Sequence, residues 1–140
     1  MTIAKQPSEL RQINYLIHDY WFNVEEILFD PQLGVVTIPF ERPAHDGASS
    51  VGWAGVFRRV EVPYYQYFLK IHHVRAWYVD DRQRVELYDF NEVVYEPDAK
   101  LVKITTGIPI HLAAEVNELD ISVGQTDRIG GARQSGDVSR

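Results

Sequence analysis

NVEEILFDPQLGVVTIPFE, residues 23–41, is the stretch that decides the fold class. Asp30-Pro31-Gln32-Leu33-Gly34 at its centre is a turn signal, with proline presetting one dihedral and glycine tolerating positive φ. Before it, Trp21, Asn23, Glu25, Ile27 and Phe29 share one parity, and Phe22, Val24, Glu26 and Leu28 share the other. Both parities carry apolar groups, so the spacing predicts one strand covered on both sides. After the turn, residues 35–41 read as the returning strand of a hairpin. Pro39 cannot donate a ladder hydrogen bond, which argues for an edge position or a bulge there.

Working outward, Leu10, Ile13 and Ile17 repeat at helical spacing behind Pro7, Ser8 and Glu9. A helix is expected over residues 8–18, with Ser8 at its cap and with Arg11 and Asn14 off the apolar face. Downstream, alternation predicts strands at 56–62, 64–72, 74–80, 101–106 and 119–123, with a further extended piece at 108–113. Residues 85–95 read as two short pieces split near 89–91. Pro109 marks a second edge or bulge. A long insertion, RPAHDGASSVGWAG at 42–55, interrupts the strands; a loop of small residues on a β scaffold is where function tends to sit.

The 140 residues suit one domain able to bury a substantial core. From Gly124 onward glycine, serine and charge dominate, so the expected division is a globular domain at 1–123 and a disordered tail at 124–140. The fold class that follows is α+β, mainly β. One N-terminal helix packs on an antiparallel sheet or sandwich of about six to eight strands. Three Trp, eight Tyr and six Phe support a β-rich chain with aromatic contact surfaces.

The formal charge of −6 argues against a phosphate backbone as partner. Arg58, Arg59, Lys70, Arg75, Arg82 and Arg84 are interleaved with acids and read as a mixed solvated face. The absence of cysteine excludes disulfides, thiolate catalysis and thiolate metal sites. MTIAKQPSELRQ at the start carries no long apolar run, and no segment approaches ~20 uninterrupted apolar residues. A cytoplasmic chain without a membrane span is expected.

Candidate site residues are few. His45-Asp46-Gly47 lies in the small-residue loop, which permits close approach by a ligand, and Trp53 near its end offers an apolar contact. Tyr64, Tyr67 and Trp77 could line a pocket between helix and sheet. His18-Asp19 reads as the end of a helix, where histidine meets the dipole and aspartate begins a turn. His72-His73 in a strand would point to opposite faces, and neither HxH nor HExxH spacing occurs, so no metal and no cofactor is expected. The carboxylate pairs Glu25-Glu26 and Asp80-Asp81 read as solvated faces, and Ser49-Ser50 lacks a nucleophile elbow. No catalytic residue is assigned.

The order of His18, Asp19, Phe22, Val24, Ile27 and Phe29, a turn, then Val36, Ile38 and Phe40, with late segments LVKITTGIPIHL and ELDISV, resembles small bacterial β-rich domains. Some immunity proteins of polymorphic toxin systems are of this kind. The resemblance implies a protein-binding role and no catalysis. The expected function is therefore a non-enzymatic binding or protein-interaction domain, with a protein partner or self-association through sheet edges. The alternative is a small-molecule-binding or hydrolytic domain with its pocket between helix and sheet.

Overall fold

The computed structural model describes residues 1–43 and 64–129. The loop beyond Pro43, with His45, Asp46 and Trp53, the strand expected at 56–62, and the chain beyond Ile129 lie outside the described residues. The fold is mainly β within an α+β class: the described residues form one short helix and ten strands in two antiparallel sheets. The elements are β1 (Thr2–Ala4), α1 (Leu10–Ile17), β2 (Trp21–Asn23), β3 (Leu28–Asp30), β4 (Val35–Pro43), β5 (Tyr64–Ile71), β6 (Val74–Asp80), β7 (Leu87–Glu96), β8 (Leu101–Thr106), β9 (His111–Val116) and β10 (Ile121–Ile129). One sheet runs in the order β1-β10-β5-β4-β3 and the other β2-β7-β8-β9-β6. Three-residue strands β1, β2 and β3 account for a strand count above the expected one.

Alternation places the core. Val36, Ile38 and Phe40 on β4, Leu69 and Ile71 on β5, Ile121 and Val123 on β10, and Val102 and Ile104 on β8 are all buried. Phe90 of β7 stacks on Phe22 of β2 at 4.4 Å and meets Phe40 of β4 edge-on at 5.4 Å, joining the two sheets. The helix buries Leu10, Ile13 and Ile17, as its spacing dictates, and packs on β7 of one sheet and on β1 and β10 of the other. Its start is held by Glu9, whose carboxylate accepts from Lys5 N at 2.8 Å and Gln6 N at 3.1 Å, rather than by Ser8.

Four local readings are corrected. The strand expected through residues 21–29 is two strands in different sheets. Asn23 Oδ1 accepts from Glu25 N at 2.8 Å and caps a 3₁₀ turn at Val24–Glu26, which carries the chain from β7 to β4. The two pieces expected at 85–95 are one strand with a bulge, since the β7–β8 register shifts between Phe90 and Glu92. Pro109 lies in the connection between β8 and β9, outside both strands. The last strand does not stop at Val123: β10 runs on to Ile129, so the boundary drawn at residue 124 comes too early. Its polar residues continue the ladder because β5 offers a partner edge, with Gly124 opposite Phe68 and Gln125 opposite Tyr67. Pro39 behaves as expected in part. β4 is an inner strand, but β3 ends opposite Thr37, so Pro39 lies where β4 has no β3 neighbour.

Candidate functional site

The inward parity of β4 runs Val36, Ile38, Phe40 and then Arg42. Arg42 is 8% exposed, buried like the apolar residues before it though less completely. Its guanidinium carbon lies over the Tyr20 ring at 4.9 Å from the centroid and over the Tyr67 ring at 5.4 Å. Such contacts are worth about 0.5–2 kcal/mol each, the upper end when desolvated. No carboxylate forms an ion pair with Arg42 among the described residues. Its Nε is shielded from water and has no hydrogen-bond partner among them. A buried donor left unmade costs about 1–3 kcal/mol, and more when charged.

The two rings are held by separate devices. Tyr67 stacks on Phe40 at 5.6 Å, and its hydroxyl donates to Gln125 Oε1 at 3.2 Å. Tyr20 is placed by the end of α1. Asp19 takes a left-handed conformation (φ 71) and its N–H donates to the Phe90 carbonyl at 2.8 Å. Phe90 N–H then donates to the Tyr20 carbonyl at 2.8 Å, fixing the backbone beneath the ring.

Arg42 opens on a cleft of about 500 Å³ between α1 and the sheets, walled by Arg11, Tyr15, His18, Tyr20 and Glu92. Asn14 ties the helix to this wall. Its Oδ1 accepts from Val93 N at 2.6 Å and its Nδ2 donates to Val93 O at 3.2 Å. It thereby satisfies an edge of β7 that β2 leaves behind after Asp89. The reading of Asn14 as a residue off the packing face missed this role. His18 is exposed; its Nδ1 lies 3.0 Å from the Asn91 carbonyl, and Nε2 is 3.4 Å from Asp19 Oδ1. The ring therefore donates to Asn91.

A second cavity, about 380 Å³, lies on the other side of Tyr20, with Trp21, Pro39, Tyr64 and Leu87 in its walls. Trp21 and Leu87 are about half exposed there. Of the aromatic residues expected at a pocket, Tyr64 lines this cavity and Tyr67 supports Arg42. Trp77 is not brought to them: it lies half-buried on β6, opposite Ala114 of β9. That is the far edge of the second sheet from β2.

The described histidines do not assemble. His73 precedes β6 and His111 pairs with Asp80 at its other end, so a seven-residue strand of roughly 20 Å separates them. Among the described residues no group of three or more His, Cys, Asp or Glu side chains is placed to hold a metal ion. His73 adopts φ 59 at the β5–β6 turn, with Nε2 at 3.4 Å from Asp120 and 3.6 Å from Glu118. His72 Nε2 lies 3.2 Å from Ser122 Oγ. Burial pushes the His72 imidazole below its ordinary value, against an opposing pull from Asp120. Asp81 is engaged structurally, accepting from the buried Tyr88 hydroxyl and from Arg84 N. Asp89 accepts from Gly107 N and Ile108 N, both at 3.1 Å, and so forms the turn after β8.

Arg42 was legible as a signal, because a cation that continues an inward-facing alternation is out of place in a core. Ending the strand at Glu41 assigned it to the loop instead. Among the described residues no helix is long and apolar enough to cross a membrane. Compared with known proteins, the chain matches no family model, no curated protein and no solved structure.

Proposed function

We propose that the protein is a non-catalytic recognition domain whose binding site is the cleft between α1 and the sheets. The observation that carries this reading is the buried Arg42, held by two aromatic rings, without a carboxylate partner among the described residues. A charge in that position is costly to the fold, so its use is the complement it offers to a ligand. The surrounding groups are of the recognition kind: a second guanidinium on Arg11 and the phenol rings of Tyr15 and Tyr20. His18, the imidazole of the cleft, lies against Asn91 and Asp19.

The location suits both readings made from the sequence. An immunity-type role would seat a partner protein here, with the half-exposed Trp21 and Leu87 beside the cleft as apolar contacts. A small-molecule role would use the same cleft between helix and sheet. The test is affinity for a purified partner, first identified by capture from the native organism. Arg11→Glu and Tyr15→Ala, both at exposed positions, should weaken that partner at least tenfold with folding unchanged, a loss of about 1.4 kcal/mol. An unchanged affinity in both variants rejects the location. Turnover of any substrate that disappears with His18→Ala rejects the non-catalytic assignment.

A further inference from the structure

The geometry points to one ligand chemistry: we infer that the Arg42 cleft binds a single carboxylate carried on an apolar body. This deepens the recognition reading and rests on it. Three features select the group. First, the rings of Tyr20 and Tyr67 lie against the guanidinium and its Nε has no hydrogen-bond partner among the described residues, so an N–H edge remains for hydrogen bonding. That edge is a planar fork, and it matches a carboxylate in two parallel bonds.

Second, the charge of the cleft is small. Arg11 and Arg42 against Glu92 leave one positive charge, and His18 lies against a carboxylate of its own, Asp19. A monoanion balances that charge, whereas a phosphate dianion would exceed it and face the Glu92 carboxylate. The chain as a whole carries −6, so this cleft attracts an anion that the rest of the molecule repels. Third, Tyr15 and Tyr20 give the cleft aromatic walls, and Tyr20 is shared with the neighbouring cavity of Trp21 and Tyr64. An apolar body attached to the carboxylate has surface to cover on that side.

The carboxylate has two possible sources, a free organic acid or a glutamate side chain of a partner protein, and one titration separates them. The probe is the Arg42 Nε–H resonance in nitrogen-edited NMR spectra of the full chain, where shielding from water slows proton exchange. Benzoate and a blocked glutamate peptide should each shift it saturably. Benzamide, the neutral counterpart, should leave it in place. Tighter binding by benzoate identifies a free acid, and tighter binding by the peptide identifies a partner side chain. Arg42→Lys, which lacks that resonance and is followed instead by the backbone amide resonances of α1, should weaken both by roughly tenfold or more, because lysine keeps the charge and loses the fork. Arg11→Gln at an exposed position provides a second variant whose folding is not at risk, and it should weaken both ligands as well. Inorganic phosphate binding as tightly as benzoate would overturn the carboxylate assignment in favour of a general anion site. No saturable shift from any carboxylate would overturn the inference, while a partner sensitive to Arg11→Glu would leave the recognition reading standing.

Discussion

The two ends of the β4–β5 pair solve opposite problems. At the end near Gly34, polar groups meet partners. Gly34 N donates to Asp30 O, Val74 N to Gly34 O, His72 N to Asp120 O and Asn117 N to His73 O, while His73 sits between Glu118 and Asp120. At the other end, Arg42 is buried with rings on its cation and an Nε that has no partner among the described residues. The first arrangement is what a fold needs to close. The second lowers stability, and such residues are where natural proteins depart from their stability optimum in favour of binding.

Asn14 gives the largest way to break this comparison. If the open end is a preformed cleft, α1 must be pinned against β7, and Asn14 makes both hydrogen bonds to Val93 that do so. Asn14→Ala leaves a backbone N–H and a C=O without these partners. A loss of about 2–4 kcal/mol is expected in urea denaturation, from two groups at about 1–3 each with partial recovery by water. A loss under ~1 kcal/mol would mean that the helix is held by its apolar face alone, and that the cleft has no fixed wall.

Gly34 tests the closed end. Its φ of +69 is a left-handed conformation, and an added Cβ would lie 3.1 Å from the Val74 carbonyl oxygen, a backbone atom that cannot easily yield. Gly34→Ala should cost about 2 kcal/mol, mostly the left-handed penalty. Carboxylate titration at Arg42 should be unchanged, because the two ends share no side chain. Coupled loss of stability and binding would show that the ends act as one unit.

What the sequence made legible follows the range of the forces involved. The turn at 30–34, strands β5, β6 and β8, and the Leu10, Ile13, Ile17 face rest on neighbours within a few residues, and alternation or helical period exposes them. The split at Asn23 rests on a side-chain cap together with pairing to two different sheets, and period alone continues the strand through it. The extension of β10 past Gly124 depends on the backbone edge of β5, some fifty residues away in the chain. Candidate residues fared according to the same logic. Tyr64 reaches a cavity and Tyr67 the Arg42 guanidinium because both follow β5, while Trp77 leaves with β6 for the other sheet. Arg42 needed only one more step of the parity count.

Arg42→Met sharpens the comparison from the open end, with a smaller expected effect and the opposite sign. The substitution removes a buried charge and keeps an apolar chain of similar length. It forgoes the contacts with Tyr20 and Tyr67, worth about 0.5–2 kcal/mol each, and relieves the desolvation of the cation. The balance should leave stability unchanged or raised by about 1 kcal/mol, with carboxylate binding abolished. A loss greater than that would make Arg42 a structural anchor, and the contrast between the two ends would fail.

The smallest effect concerns pH at the closed end. His72 titrates below its ordinary value in the folded chain, chiefly because burial disfavours the imidazolium; Asp120 opposes this, while His73, Lys70 and Lys5 add to it. The unfolded chain therefore takes up the proton first as pH falls. The contribution of neutral His72 is complete above the unfolded value of about 6.5 and is lost between there and the lower folded value. The difference between wild type and His72→Gln isolates this contribution, since glutamine can still reach Ser122 without titrating. Measured by urea denaturation from pH 8 down to pH 5, wild-type stability should fall relative to the variant below about pH 6.5, with the two curves parallel above it. Parallel curves over the whole range would place His72 in water, outside the paired network that closes this end of the sandwich.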